Sequence, residues 1–103
     1  MVLSLPMDIW YLYILECCDK SLYTGVTLNL QRRIRAHDNG SGGSYTRSRL
    51  PVSLVYFESY STKSEALKRE LQIKGWARKK KLALIRQELE TLKKFSKSSN
   101  KQF

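Results

Sequence analysis

The stretch Trp10-Tyr11-Leu12-Tyr13-Ile14-Leu15 is apolar or aromatic at every position. Apolar side chains on both alternating faces predict a strand that is covered on both sides. Cys18-Asp19-Lys20-Ser21 breaks the run and predicts a turn. Leu22-Tyr23-Thr24-Gly25-Val26 then predicts a return strand, so the pair reads as an antiparallel hairpin. Gly25 interrupts the second strand, which marks a bulge or a place where something approaches the backbone closely.

Further along, the apolar spacing turns helical. Thr27 predicts an N-cap for a helix from Leu28 to about Asp38, closed by Asn39-Gly40. Leu30, Ile34 and His37 share one face of it. Gly40-Ser41-Gly42-Gly43-Ser44 reads as a flexible loop. After Pro51, Val52 to Phe57 predicts a third strand. Ser61 or Thr62 predicts the cap of a helix to about Lys74, with Glu65 at capping-box spacing from Thr62. Gly75 separates it from another amphipathic helix striped by Leu82, Ile85, Leu89 and Leu92. The stripe reads as cover for the sheet, with docking to another protein as the alternative. The order is ββαβαα, an α+β fold with a three-stranded antiparallel sheet flanked by helices.

Composition narrows the class. The chain has 103 residues, 42% hydrophobic, which suits one modest core and argues against wholesale disorder. Cys17 and Cys18 are adjacent, so they make neither a disulfide scaffold nor a four-ligand zinc site, and they favour a reducing compartment. No apolar run approaches the roughly 20 residues that cross a bilayer. Met1 to Leu15 lacks a basic n-region and carries Asp8, so it does not read as a secretion signal. The expected organisation is a leader at 1–8, a folded domain at 9–92 and a basic, disordered tail at 93–103.

Charge is unevenly spread along the chain. The formal net charge is +10, from 19 basic and 9 acidic residues. Residues 1–59 hold six basic and five acidic residues, whereas residues 60–103 hold thirteen and four. A half so rich in lysine points to a polyanionic partner, because each neutralised phosphate releases counterions. A solvated lysine-rich face is the simpler alternative.

A few residues could do chemistry. At 100° per residue, Glu70 falls about 40° from Ala66, inside a stripe with Leu67, Leu71, Ile73 and Ala77. An inward carboxylate is costly unless it binds a cation or pairs with a basic side chain, and both remain open. Arg33 and His37 lie four apart on one helical face, able to hold a phosphate and handle a proton, or simply to be surface and core. Tyr11 and Tyr13 share a sheet face that Tyr23 can reach, where packing alone would also place tyrosines.

Taken in order, Tyr11-Leu12-Tyr13, then Tyr23-Thr24-Gly25, then Arg33 and His37, then Glu70, this set resembles the GIY-YIG nuclease family. It is most similar to the small stand-alone GIY-YIG domain proteins of bacteria. The resemblance runs from about Trp10 to about Ile85 and includes Tyr45-Thr46-Arg47-Ser48-Arg49-Leu50-Pro51. It implies an endonuclease that hydrolyses DNA phosphodiesters with a divalent metal, Mg²⁺ or Mn²⁺, in a bacterial cytoplasm, with branched or damaged DNA among the candidate substrates.

By resemblance, Tyr13 would act as general base, Tyr23 would orient the water, and Arg33 would neutralise the phosphate. His37 would assist proton traffic, and Glu70 would ligate the metal. Gly25, Arg32, Arg35, Tyr45, Arg47, Arg49, Lys74, Arg78, Lys79 and Lys80 would contact nucleic acid. One carboxylate suffices for Mg²⁺, which fills its other positions with water and phosphate oxygens. Tyrosine is a demanding base, since its ordinary pKa of about 10 costs about 4 kcal/mol at neutrality. Nearby positive charge or a hydrogen bond to His37 would lessen that cost.

The chain departs from the family pattern in three places. The first motif reads Tyr-Leu-Tyr for Gly-Ile-Tyr, the second Tyr-Thr-Gly for Tyr-Ile-Gly, and Gly75 to Arg86 contains no asparagine where many active members have one. A non-catalytic nucleic-acid-binding domain on the same scaffold is therefore the alternative. No small-molecule cofactor or appended recognition domain is expected, so cutting would be structure-selective or nonspecific. Oligomeric state is left open.

Overall fold

A computed structural model describes residues 8–87. The hairpin forms from β1 (Trp10–Glu16) and β2 (Leu22–Thr27), followed by α1 (Leu30–Asp38), a single turn α2 (Ser44–Arg47), β3 (Ser53–Tyr60) and α3 (Lys63–Lys74). A further helical stretch, α4, occupies residues 78–87, where the described chain ends. The sheet is antiparallel throughout, in the order β2-β1-β3. The doubly apolar β1 takes the central position, which is why both of its faces are greasy.

Alternation along β1 builds two cores. Leu12 and Ile14, fully buried, meet Tyr56 and Ile73, with Trp76, Leu84 and Ile85 packed around them. Tyr13 and Leu15 face the other way and meet Cys17 and Val52, with Leu30 and Ile34 of α1 alongside. Thus α3 and α4 cover one face and α1 the other. The β1–β3 register slips between Ile14 and Leu15. This bulge keeps Leu54 on the α1 face while Tyr56 faces α3.

Several expected boundaries move. Thr27 does not cap α1, because it is still paired with Tyr11 in the β2 ladder. Asn29 caps instead, its side-chain oxygen accepting the Arg32 N–H at 3.0 Å. The expected loop ends at Gly43, and Ser44 opens a helical turn. The third strand runs on to Tyr60. Thr62 is the cap of α3: its hydroxyl oxygen accepts the Glu65 N–H at 3.2 Å and donates to the Glu65 carboxylate at 2.9 Å.

The inward face of α3 is narrower than the helical wheel suggested. Ala66 and Ile73 are fully buried, whereas Leu67 is 38% and Leu71 71% exposed, and Ala77 is also exposed. The helix rests on the sheet through one row, Ala66, Glu70 and Ile73, spaced four and three apart. Residues about 100° off that row turn to water. On α4, Leu84 and Ile85 reach the core. Leu89, Leu92, most of the leader and the basic tail lie outside the described residues. Among the described residues, no helix is long and apolar enough to cross a membrane.

Candidate active site

Four of the residues singled out in the sequence converge on one spot of the α1 face. Tyr13 stands opposite Gly25 in the sheet, and its phenol ring crosses that glycine. A Cβ at Gly25 would lie 2.5 Å from the Tyr13 hydroxyl, so the glycine makes room for the tyrosine. The Tyr13 hydroxyl is 3.1 Å from His37 Nε2 and accepts from Arg33 Nε at 3.3 Å. Arg33 and His37 reach the same oxygen because they are one helical turn apart. Tyr23 completes the group, its ring 5.1 Å from the His37 ring and 6.3 Å from that of Tyr13.

Two residues that sequence reasoning did not single out hold this cluster in place. His37 is fully buried, and its Nδ1 lies 2.7 Å from Oγ1 of Thr46, which is also fully buried. The Gly42 carbonyl accepts from Arg33 Nη2 at 3.4 Å. A Cβ at Gly42 would lie 2.2 Å from His37 Nδ1, so no larger residue fits. Gly42 lies in the loop between α1 and α2, and Thr46 is the buried residue of α2 itself. Only the pairing with a distant histidine gives them meaning.

Electrostatics separates the roles. Burial pushes the Tyr13 hydroxyl above the ordinary tyrosine range, against the lowering influence of the Arg33 hydrogen bond. Burial and then the Arg33 charge push His37 below the usual histidine value. The buried imidazole is therefore neutral near pH 7. Arg33 donates to Tyr13, so the Tyr13 O–H is free to donate to Nε2. The tautomer consistent with that carries its proton on Nδ1 and donates it to Thr46.

Glu70 stands apart from this group. It lies on α3, its side chain only 15% exposed, with Lys74 Nζ at 3.2 Å. Its charge is near enough to raise the Tyr13 pKa further. A mostly buried carboxylate is a hard oxygen donor suited to Mg²⁺ or Mn²⁺. Among the described residues no group of three or more His, Cys, Asp or Glu forms a complete protein cage. The donor set thus fits a cation that keeps much of its water.

The outlying basic residues divide. Arg32, Arg35 and Arg47 are exposed on α1 and α2, and Arg78, Lys79 and Lys80 are exposed at the start of α4. Lys80 lies 4.4 Å over the Trp76 ring. Lys74 is committed to Glu70, and Arg49 to Asp19 at 3.1 Å and to the Tyr45 ring at 4.0 Å. The Tyr45 ring in turn lies 5.9 Å from that of Tyr23.

Comparison with known proteins follows the same outline. A family model described as the GIY-YIG catalytic domain matches residues 9–83. A UPF0213 protein of Staphylococcus saprophyticus is 56% identical over 79 residues, 77% of this chain and 96% of that protein. A UPF0213 protein of Clostridium perfringens is 59% identical over 75 residues, 73% of this chain and 81% of that one. The solution NMR structure of a UPF0213 protein from Bacillus halodurans is 44% identical with a TM-score of 0.50, covering 75% of this chain and 82% of that chain.

Proposed function

The chain belongs to the GIY-YIG family of nuclease domains, and from that premise we propose that it is a metal-dependent endonuclease that hydrolyses DNA phosphodiesters, structure-selectively or without sequence preference. One observation supports this above the others: the Tyr13 hydroxyl lies between a guanidinium donor, Arg33, and a neutral imidazole acceptor, His37.

In this reading Tyr13 is never required to exist as a free phenolate. Burial disfavours that form. An attacking water gives its proton to Tyr13 Oη as the Tyr13 proton passes to His37 Nε2, so the cost of a high tyrosine pKa is shared with a group poised to accept. Thr46 keeps the histidine turned toward Tyr13. Tyr23 orients the water beside the ring cluster. Arg33 places positive charge where negative charge grows on the phosphate. Glu70 would hold the metal, which when bound supplies Lewis-acid stabilisation of the leaving oxygen. Exposed Arg32, Arg35, Arg47, Arg78, Lys79 and Lys80 bring in the nucleic-acid backbone.

The test is cleavage of single-stranded, duplex and branched DNA by pure protein in Mg²⁺ and in Mn²⁺. Cutting that stops with EDTA, and that Glu70→Gln and Arg33→Ala both abolish, is the expected result. Absence of cutting in either metal, or undiminished cutting by those variants, refutes it. A second reading, nucleic-acid binding without hydrolysis, draws support from the stretch Gly75 to Arg86, which has no asparagine but exposes Arg78, Lys79 and Lys80. It predicts salt-sensitive binding that Glu70→Gln leaves unchanged.

A further inference from the structure

The α1 face carries a second feature that the proposed relay does not use. Phe57 stands opposite Tyr13 across β1 and β3, yet is 50% exposed. Tyr11, two residues before Tyr13 on the same face, meets Phe57 edge to face with ring centroids 6.0 Å apart. With Leu28, Asn29, Leu30 and Gln31 these two rings line an open hollow at the start of α1. A neighbouring hollow shares Leu28 and Asn29 and is bounded by Arg32 and Arg33.

We propose that the Tyr11–Phe57 hollow is a base-stacking subsite, which takes one unpaired nucleobase of the strand whose phosphate lies on Arg32 and Arg33. This deepens the nuclease reading of the same site and names its substrate class: single-stranded DNA, or duplex with a locally unpaired nucleotide beside the scissile bond. An aromatic side chain left half in water is a poor core residue but a good platform, because every base has a stacking face. The exposed Gln31 amide can both donate to and accept from a base edge. The adjoining guanidinium groups supply charge complementarity to the phosphate next to that base. A paired base is stacked inside its helix and cannot enter such a hollow without being turned out. The two hollows therefore select for a nucleotide that is already unpaired. A self-association patch would place apolar groups here too, but it gives no role to Arg32 and Arg33 at the rim.

The experiment titrates the full chain, in EDTA, into a short oligothymidylate carrying one 2-aminopurine, and reads that base's fluorescence. Wild type should change the signal on binding. Phe57→Ala should bind roughly tenfold more weakly and lose the signal change, as expected for loss of one stacked base. Phe57→Leu keeps apolar bulk without an aromatic face and should behave alike, whereas Phe57→Trp should restore both. Binding to the same sequence as a perfect duplex should be equal in wild type and Phe57→Ala. Unchanged single-strand binding by both Ala and Leu variants overturns the proposal, as does equal loss on duplex. A dimer that Phe57→Leu dissociates, with DNA binding untouched, also overturns it. Because cleavage plays no part in this readout, a Phe57-dependent signal in a protein that never cuts would remove the nuclease reading and leave the subsite standing.

Discussion

The sheet carries a buried polar cluster on each face, and the two are finished differently. On the α3 face Glu58 accepts from Tyr56, from Tyr60 at 2.5 Å, and from Arg69 through Nε and Nη2, both at 3.0 Å. Arg69 spends Nη1 on Gln72 at 2.7 Å. That cluster is neutral and closed. On the α1 face Arg33 makes longer bonds, 3.3 and 3.4 Å, to a phenol and a backbone carbonyl. Among the described residues no carboxylate lies in an ion pair with it. A half-buried guanidinium given no counter-charge suits an anion that arrives from outside. The closed cluster holds α3 to β3, and in the proposed nuclease the open one would receive the substrate phosphate.

The difference breaks first at the arginines. Arg33→Ala should lower cleavage by about a thousandfold or more, the scale at which an arginine stabilises phosphoryl-transfer transition states. The melting temperature should hardly move. Arg69→Ala should do the reverse. Removing one partner from a largely buried pair leaves Glu58 uncompensated, at a cost of about 3 kcal/mol, readable as a lower denaturant midpoint. Equal loss of stability in the two variants would erase the distinction.

Acid should separate the two clusters as well. Burial opposes ionisation of Glu58, but the hydrogen bonds from Arg69, Tyr56 and Tyr60 outweigh it and hold its carboxyl below the ordinary range. Its contribution is complete above the unfolded carboxylate value of about 4.3 and fades as pH falls below it. His37 also has a lowered folded pKa, so its contribution begins to fade earlier, as pH drops below about 6.5. The groups around it are Tyr13, Tyr23, Arg33, Asp38 and Thr46. Stability against pH should fall in two stages, and His37→Gln should remove the upper one alone. The closed cluster also works on its tyrosines: burial and the neighbouring carboxylate push Tyr60 up to about 12.

Next in size is the support behind the open cluster. Thr46→Val removes the oxygen that holds His37 Nδ1 while keeping the volume. It should lower kcat about tenfold, comparable to other losses of an outer hydrogen bond to a working histidine. KM should stay near its wild-type value, and the acid limb of the kcat profile should shift. Thr46→Ser should recover most of the rate. A Val variant that lost only stability would make Thr46 a packing residue.

How much of this was legible beforehand follows from what each feature depends on. The strands, the sheet and the Thr62–Glu65 cap rest on local periodicity and on short-range spacing, and both are visible in a string of letters. Glu70, Arg33 and His37 stand out because each breaks a pattern at a helical interval. Thr46, Gly42 and Phe57 do not, since their partners lie across a loop or across a strand rather than at a helical or alternating interval. The β1–β3 register sets what lies opposite Tyr13, and a bulge at Ile14/Leu15 alters that register. Glu58 falls just beyond the strand predicted from Val52 to Phe57, and only the fold brings Arg69 of α3 over it. The wheel overstated the inward arc of α3 because it treats leucine as buried wherever it falls. Leu71 turns out instead, because the row of Ala66, Glu70 and Ile73 already fills the contact.

The smallest effect tests whether the closed face is closed everywhere. Thr24, paired with Ile14, is 3% exposed, and its hydroxyl finds no hydrogen-bond partner among the described residues. It stands in the second tyrosine motif, where the family pattern has isoleucine. A buried hydroxyl without a partner costs free energy that an isosteric apolar side chain does not. Thr24→Val should therefore raise stability by about 1 kcal/mol and leave cleavage rates alone, measured by chemical denaturation beside the DNA assay. A gain in stability with unchanged cutting assigns Thr24 to the packing between β2 and α3. A loss of cutting without a change in stability would instead assign its hydroxyl to the reaction. The boundary between the two clusters would then run through β2, beside Gly25, where the Tyr13 ring crosses the edge of the sheet.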